Sequence, residues 1–388
     1  MACGNGLFER VQIERGSSYH RPLYLAALAG IALDLGLLVF LSFTRLGDHL
    51  YAITSGWPWW GRCIGLSLCV LVLISALRLP IAFWAGYRHE HAWALSTQSA
   101  GAWSLDRMKG LALTLLLGTG ALLGLVAAAR AWPRAWPLIV ATAAAFFVLS
   151  LSFLAPVLLE PIFSRFMPLA DRELAASLQA LAARAGVPVS QVLVADASSR
   201  TRKLNAYVSG LGRTRRLVLF DTLIADANQR EVELVVAHEL GHRRARHVAK
   251  ATLLGMLGAV VFVAALWALL RVPALRSALG VTGAGDPRIV PFVLLLGSLS
   301  SLASSPLGAG LSRHWERQAD AFSLELTGDP ATFESTHRRL ALRNLADLAP
   351  PRLLYLLWFS HPTPSERIAA ARARQRADGA SASEGVPA

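Results

Sequence analysis

The sequence predicts a mostly α, polytopic membrane helical bundle of about six spans that carries a small α+β domain. Three observations point there. The 388-residue chain is 54% hydrophobic and only 16% charged, whereas soluble domains carry about 25% charged residues. Its apolar residues fall in six blocks of about the 20 residues that a helix needs to cross ~30 Å of hydrocarbon. Between the fourth and fifth blocks lies a long polar stretch whose patterning alternates between helix and short strand.

The polar N-terminus, MACGNGLFERVQIERG, carries acids and lacks the layout of a signal peptide, so the first apolar block is expected to remain as a span. The spans are predicted at 23–43, 63–84, 111–129, 136–158, 251–270 and 289–307. The first four make an N-terminal membrane region over 1–158, and the last two a hairpin over 251–307. Trp57, Trp59 and Trp60 precede the second span, and Trp132 and Trp136 flank the start of the fourth, as interfacial anchors do. The sixth span, rich in Ser and Gly, suits a helix packed inside protein. Asp34, inside the first span, is a candidate functional charge because an ionisable group in a membrane is costly. The polar segment 159–250 holds 14 Lys and Arg. With the C-terminal tail, it sets the polar domain and the N-terminus on the cytoplasmic face by the positive-inside bias.

Within 159–250, helical periodicity over 171–185 ends at Gly186-Val187-Pro188. The runs 191–195, 205–210 and 216–220 read as strands. Asn228 with Glu231 three residues on forms a capping box that opens the next helix. Residues 308–375 form a second polar segment, and the composition of 376–388 predicts a disordered tail. The net charge is +13. It is spread over membrane flanks and loops with no aromatic-interleaved basic patch, which argues against nucleic acid as a partner. Cys3, Cys63 and Cys69 have no CxxC spacing and suggest neither a disulfide framework nor a thiolate metal site.

The helix opened by Asn228 runs into His238-Glu239-Leu240-Gly241-His242. Two imidazoles four residues apart share a helix face and can grip one zinc ion. Glu239, beside the metal, can take a proton from the attacking water and pass it to the leaving amine. A catalytic zinc needs a third protein ligand. Glu316, just after the sixth span, is the best candidate, since the hairpin returns the chain to the site. Asp320, one turn on, can hold a ligand histidine's free N–H. His314 and His247 are rivals for the third position, but His247, five residues past His242, turns off the ligand face. The polar segments thus read as a zincin-like α+β catalytic domain with one Zn2+ per chain.

Several stretches together resemble the type I CAAX prenyl endopeptidases. They are HELGH, the ERQAD at Glu316–Asp320, the NAYVSG at Asn205–Gly210 followed by LVLFDTLI, the HPTPSER at His361–Arg367, and the loop at Tyr87–Gly110. The resemblance covers nearly the whole chain. It implies His238, His242 and Glu316 as zinc ligands and Glu239 as general base. It further implies that Asn205, with Ala206 and Tyr207, holds the substrate backbone, that His361 stabilises the oxyanion, and that Arg367 supports this shell. An extended peptide adding to an exposed strand edge there supplies a physical rationale. The family's helices enclose a chamber. Its eukaryotic members have a seventh span near the C-terminus, whereas the run 353–359 here is too short to cross.

The expected function is zinc-dependent endoproteolysis of membrane-associated substrates, prenylated or membrane-tethered, in a bacterial inner membrane. The alternative is a quality-control protease like the HtpX-type heat-shock enzymes, which are shorter with fewer spans. An inactive scaffold or transporter on the same fold is the third reading. The partners expected are a peptide or protein substrate and the lipid bilayer.

Overall fold

A computed structural model describes residues 7–210 and 215–384, with side chains through residue 377. Cys3 lies outside the described residues. The chain enters the bundle through four long helices: α1 (Arg10–Phe43), α2 (Trp59–Ala92), α3 (Ala100–Ala131) and α4 (Trp136–Phe163). The polar domain follows as β1 (Phe166–Pro168), α5 (Arg172–Arg184), β2 (Gln191–Ala195), β3 (Ala206–Ser209), β4 (Arg216–Phe220), α6 (Asp221–Asp226) and α7 (Gln229–Arg244). Two further long helices are α8 (His247–Leu270) and α9 (Pro287–Thr327). The chain closes with α10 (Pro330–Arg343), α11 (Arg352–Trp358) and α12 (Pro364–Glu384).

Among the described residues six helices, α1–α4, α8 and α9, are long and apolar enough to cross a bilayer. The protein is a polytopic membrane protein with a small mixed sheet attached. α4 packs along α8, α2 along α3, and α9 against α1. The membrane core gathers Leu38, Leu66, Val126, Leu266 and Ile289. The sixth span is the most enclosed of the six, with 33% of its apolar window buried against none of α4's. That fits its Ser and Gly content, because small residues let helix backbones approach closely. Asp34 pairs with Arg78 at 3.3 Å. It lines a cavity of about 690 Å³ among the spans, opposite Ser298, Ser301 and Ser305.

The helices run past the predicted apolar blocks, because polar turns at either end continue the same helix. The consequence matters most in α9. It extends unbroken from the membrane to Thr327, so Glu316 and Asp320 ride on the sixth span itself. Gly328, in the left-handed region at φ 64°, ends it, and Asp329 caps α10 by accepting from the Thr332 N–H.

The sheet order is β1-β2-β4-β3, with β2 and β4 parallel and the two outer pairs antiparallel. β1 was not foreseen; three residues ending in proline give no alternation to read. Beneath the sheet, Leu178 of α5, Leu217 and Leu219 of β4, and Val236 and Leu240 of α7 form one apolar core. The capping box at the start of α7 is present in both directions, Glu231 N–H to Asn228 Oδ1 at 3.1 Å and Asn228 N–H to Glu231 Oε2 at 2.9 Å. α12 continues to Glu384, whereas the composition of 376–388 predicts disorder.

Candidate active site

α7 and α9 cross where Gly241 faces Ala319. A Cβ on Gly241 would lie 3.1 Å from the Ala319 Cα and 3.2 Å from its carbonyl oxygen. The glycine inside HELGH therefore permits the close helix approach that brings the two halves of the site together. His238 and His242 of α7 then face Glu316 of α9. One ligand atom from each lies within 4.8 Å of the others. The two Nε2 atoms are 3.1 Å apart, and each lies 3.3 Å from a Glu316 oxygen.

The opposite edge of each imidazole is held. His238 Nδ1 donates to Asp320 Oδ1 at 2.9 Å. Asp320 in turn accepts two bonds from Arg367, with Nε at 2.8 Å from Oδ2 and Nη2 on Oδ1. His242 Nδ1 meets His247 Nδ1 at 2.9 Å. The His247 Nε2–H then donates to Gln318 Oε1 at 2.9 Å, and the Gln318 amide donates to His314 Nε2, also at 2.9 Å. A single direction of donation satisfies the whole chain, and it puts the proton of His242 on Nδ1. Both Nε2 lone pairs are thereby directed at the same point. Glu316 is only 5% exposed, and its Oε2 has no hydrogen-bond partner among the described residues. Two imidazoles with fixed tautomers and a buried carboxylate oxygen lacking a donor fit a cation with zinc's ligand preferences.

His247 and His314 are thus not rivals of Glu316. His247 supports a ligand from behind and stacks on Trp315, with ring centroids 5.1 Å apart. Its distance of five residues from His242 hides this role, because α7 ends at Arg244 and Arg246 (φ 55°) turns the chain into α8. His337 of α10, also missed, lies buried beneath the site 4.0 Å from Asp320 and stacked on Phe333. Burial, with Arg367 beside it, pulls its pKa down to about 3, so it is neutral.

Glu239 lies half-buried in the cleft, and its burial raises its pKa above the ordinary carboxylate value. His361 reaches the cluster from the segment between α11 and α12, its Nε2 3.3 Å from Glu316 Oε1. Arg313, one turn before Glu316, holds that segment by donating to the Tyr355 and Phe359 carbonyls at 2.9 and 2.6 Å. The Tyr355 carbonyl also accepts from the Phe359 N–H at 3.3 Å, and Phe359 is the residue that caps the end of α11. The cleft itself, of about 410 Å³, is lined by Asn205, His238, Glu239, Glu316, His361 and Arg367 among others.

β3 is an edge strand, but its edge is not open as expected. The Phe220 N–H bonds to the Asn205 carbonyl, so residues 205 and 207 face β4 while 206 and 208 present their backbone outward. Ala206 and Val208 are nonetheless 2% and 6% exposed, and Arg243 occupies the Val208 carbonyl. Tyr207 departs from its predicted role. Its backbone pairs with Val218, and its hydroxyl lies 3.4 Å from Glu160 in a different pocket. The Ala206 N–H donates to Asn205 Oδ1 at 2.9 Å, and on this side Leu204 and Asn205 line the cleft.

Comparison with known proteins agrees with this architecture. Residues 168–375 match peptidase family M48, and residues 19–165 match the region described as CAAX prenyl protease N-terminal, five membrane helices. The chain is 29% identical over 322 residues to an uncharacterized metalloprotease, YhfN, of Bacillus subtilis, covering 81% of this chain and 74% of that one. It is 29% identical over 333 residues to CAAX prenyl protease 1 of Saccharomyces cerevisiae, covering 79% and 72%. The crystal structure of S. mikatae Ste24p superposes with a TM-score of 0.84 at 22% identity, over 95% of this chain and 91% of that one. With its six long apolar helices, its zincin-like mixed sheet and its His/His/Glu cluster, the chain belongs to peptidase family M48 as a CAAX-protease-like membrane zinc metalloendopeptidase.

Proposed function

We propose that this protein hydrolyses peptide bonds of prenylated or membrane-tethered substrates, using one zinc ion held by His238, His242 and Glu316. The observation that carries this reading is the convergence of those three ligand atoms, with both imidazoles fixed from behind. Zinc bound there would supply Lewis-acid activation of a water and of the scissile carbonyl. Glu239 accepts the proton of the attacking water and delivers it to the leaving amine. The burial that raises its pKa makes it the stronger base for the first of these transfers. His361 Nε2 is within reach of the scissile carbonyl and donates to the developing oxyanion. Asp320 and Arg367 fix the His238 tautomer. Asn205, which lines the cleft, holds the substrate backbone beside β3. The resemblance to CAAX prenyl protease 1 supports the substrate class, and the Lys and Arg of the polar segments support a cytoplasmic active side in a bacterial inner membrane.

The test is a pair of peptides ending in the same residues after cysteine, one farnesylated and one not. Purified protein in lipid bilayers is expected to cleave the farnesylated peptide on the C-terminal side of its cysteine, and the unmodified peptide far more slowly. No cleavage of either, with clear cleavage of a misfolded membrane protein, would move the assignment to the quality-control class.

Replacing His247 by alanine tests the support behind His242. Outer partners of this kind change metal affinity by about 10- to 100-fold. His247→Ala is expected to lower zinc affinity in that range, measured by competition with a calibrated chelator. Unchanged affinity would show that His242 is oriented by other means.

A further inference from the structure

Where α7 gives way to α8, four arginines converge on one cavity. Arg215 enters β4, Arg243 and Arg244 end α7, and Arg246 is the last residue before α8. With Gly186 and Val187, they line a pocket of about 450 Å³. None of the four is ion-paired to a carboxylate among the described residues. Arg243 spends its guanidinium on the Val208 carbonyl and Arg244 on the Ala185 carbonyl at 3.1 Å and the Phe322 face. These contacts fix two of the four charges in place and neutralise none. Four guanidiniums around one cavity repel one another unless an anion sits among them.

The position of the pocket identifies the anion. α8 crosses the membrane, and its apolar run begins at Ala251, five residues after Arg246. At 1.5 Å per residue, Arg246 stands about 7 Å above the hydrocarbon. Each headgroup layer is about 5–8 Å thick. Arg246 is exposed, and so is Lys250 one turn below it. Guanidiniums bind phosphate oxygens in a bidentate manner, and at this depth the phosphates at hand are those of lipid headgroups.

We propose that the Arg215–Arg243–Arg244–Arg246 pocket binds the phosphate headgroup of an anionic phospholipid at the foot of α8. The same Arg243 that lines it holds the β3 edge and follows His242 in sequence. A bound headgroup therefore sits directly behind the catalytic helix.

The test uses the full-length zinc-loaded protein in lipid nanodiscs, with native mass spectrometry reading the lipids retained. The variant is Arg215→Gln/Arg246→Gln, which leaves Arg243 intact. Wild type is expected to retain phosphatidylglycerol over phosphatidylcholine. The double variant should do so about 10- to 30-fold less, from the loss of two basic residues near a charged surface, while keeping its zinc content. Arg215→Lys/Arg246→Lys is expected to recover most of the retention, which a merely misfolded variant would not. Equal phosphatidylglycerol retention by wild type and the Gln variant overturns the proposal. Displacement of the lipid by millimolar inorganic phosphate overturns the lipid assignment in favour of a free anion.

Discussion

Glu239→Gln is expected to abolish hydrolysis while leaving the metal in place. Glu239 is not one of the three converging ligand residues, and its side chain makes no hydrogen bond among the described residues. The amide is nearly the same size as the carboxylate, so the fold around Leu240 and Gly241 is undisturbed. It can neither accept the proton of water nor deliver one to the leaving amine. General acid–base assistance is typically worth about 10²- to 10⁴-fold, so kcat should fall within or beyond that range with KM little changed. Turnover of the farnesylated peptide and zinc content, measured on the same preparation, check this. A variant that has lost its zinc, or that retains more than a tenth of wild-type turnover, would show that Glu239 has another role.

Glu316→Ala is expected to cost both the metal and the activity. The carboxylate is 5% exposed and faces two imidazole Nε2 atoms. Its removal leaves two ligands where a catalytic zinc ordinarily has three from the protein. Structural and catalytic zinc sites draw much of their free energy from a complete ligand set. The variant should lose zinc on dialysis against a chelator that leaves wild type loaded, with turnover down at least as far as for Glu239→Gln. Because the loss is of metal, excess zinc should restore part of the activity in Glu316→Ala and none in Glu239→Gln. That contrast separates a ligand from a base more cleanly than either variant alone.

The site was legible in the sequence where local periodicity encodes it. HELGH puts both imidazoles on one face, Glu316 and Asp320 repeat the same i, i+4 spacing, and Asn228 with Glu231 announces the start of α7. Hydropathy likewise located the six spans, though not their ends, because nothing in a polar turn says that a helix must stop at the membrane. What escaped is tertiary. His247 supports His242 only because a left-handed residue at Arg246 folds α8 back toward α9. His337 reaches the site from α10, and Arg313, although one turn before Glu316, acts through carbonyls at the end of α11 that no spacing reveals. The strand at Asn205 was visible, but which residues face outward depends on register with β4. A one-residue shift exchanges the two faces, so Tyr207 was assigned to the cleft although its side chain lies in another pocket beside Glu160.

The account stands on one metal centre with two imidazoles and a carboxylate. X-ray absorption at the zinc edge of the purified, membrane-reconstituted protein tests it most directly. The predicted result is one zinc per chain with only nitrogen and oxygen neighbours near 2.0–2.1 Å and multiple scattering from two imidazoles, reduced to less than a tenth of the occupancy in Glu316→Ala. A sulfur shell near 2.3 Å, three or more imidazoles, or full occupancy in Glu316→Ala would contradict it.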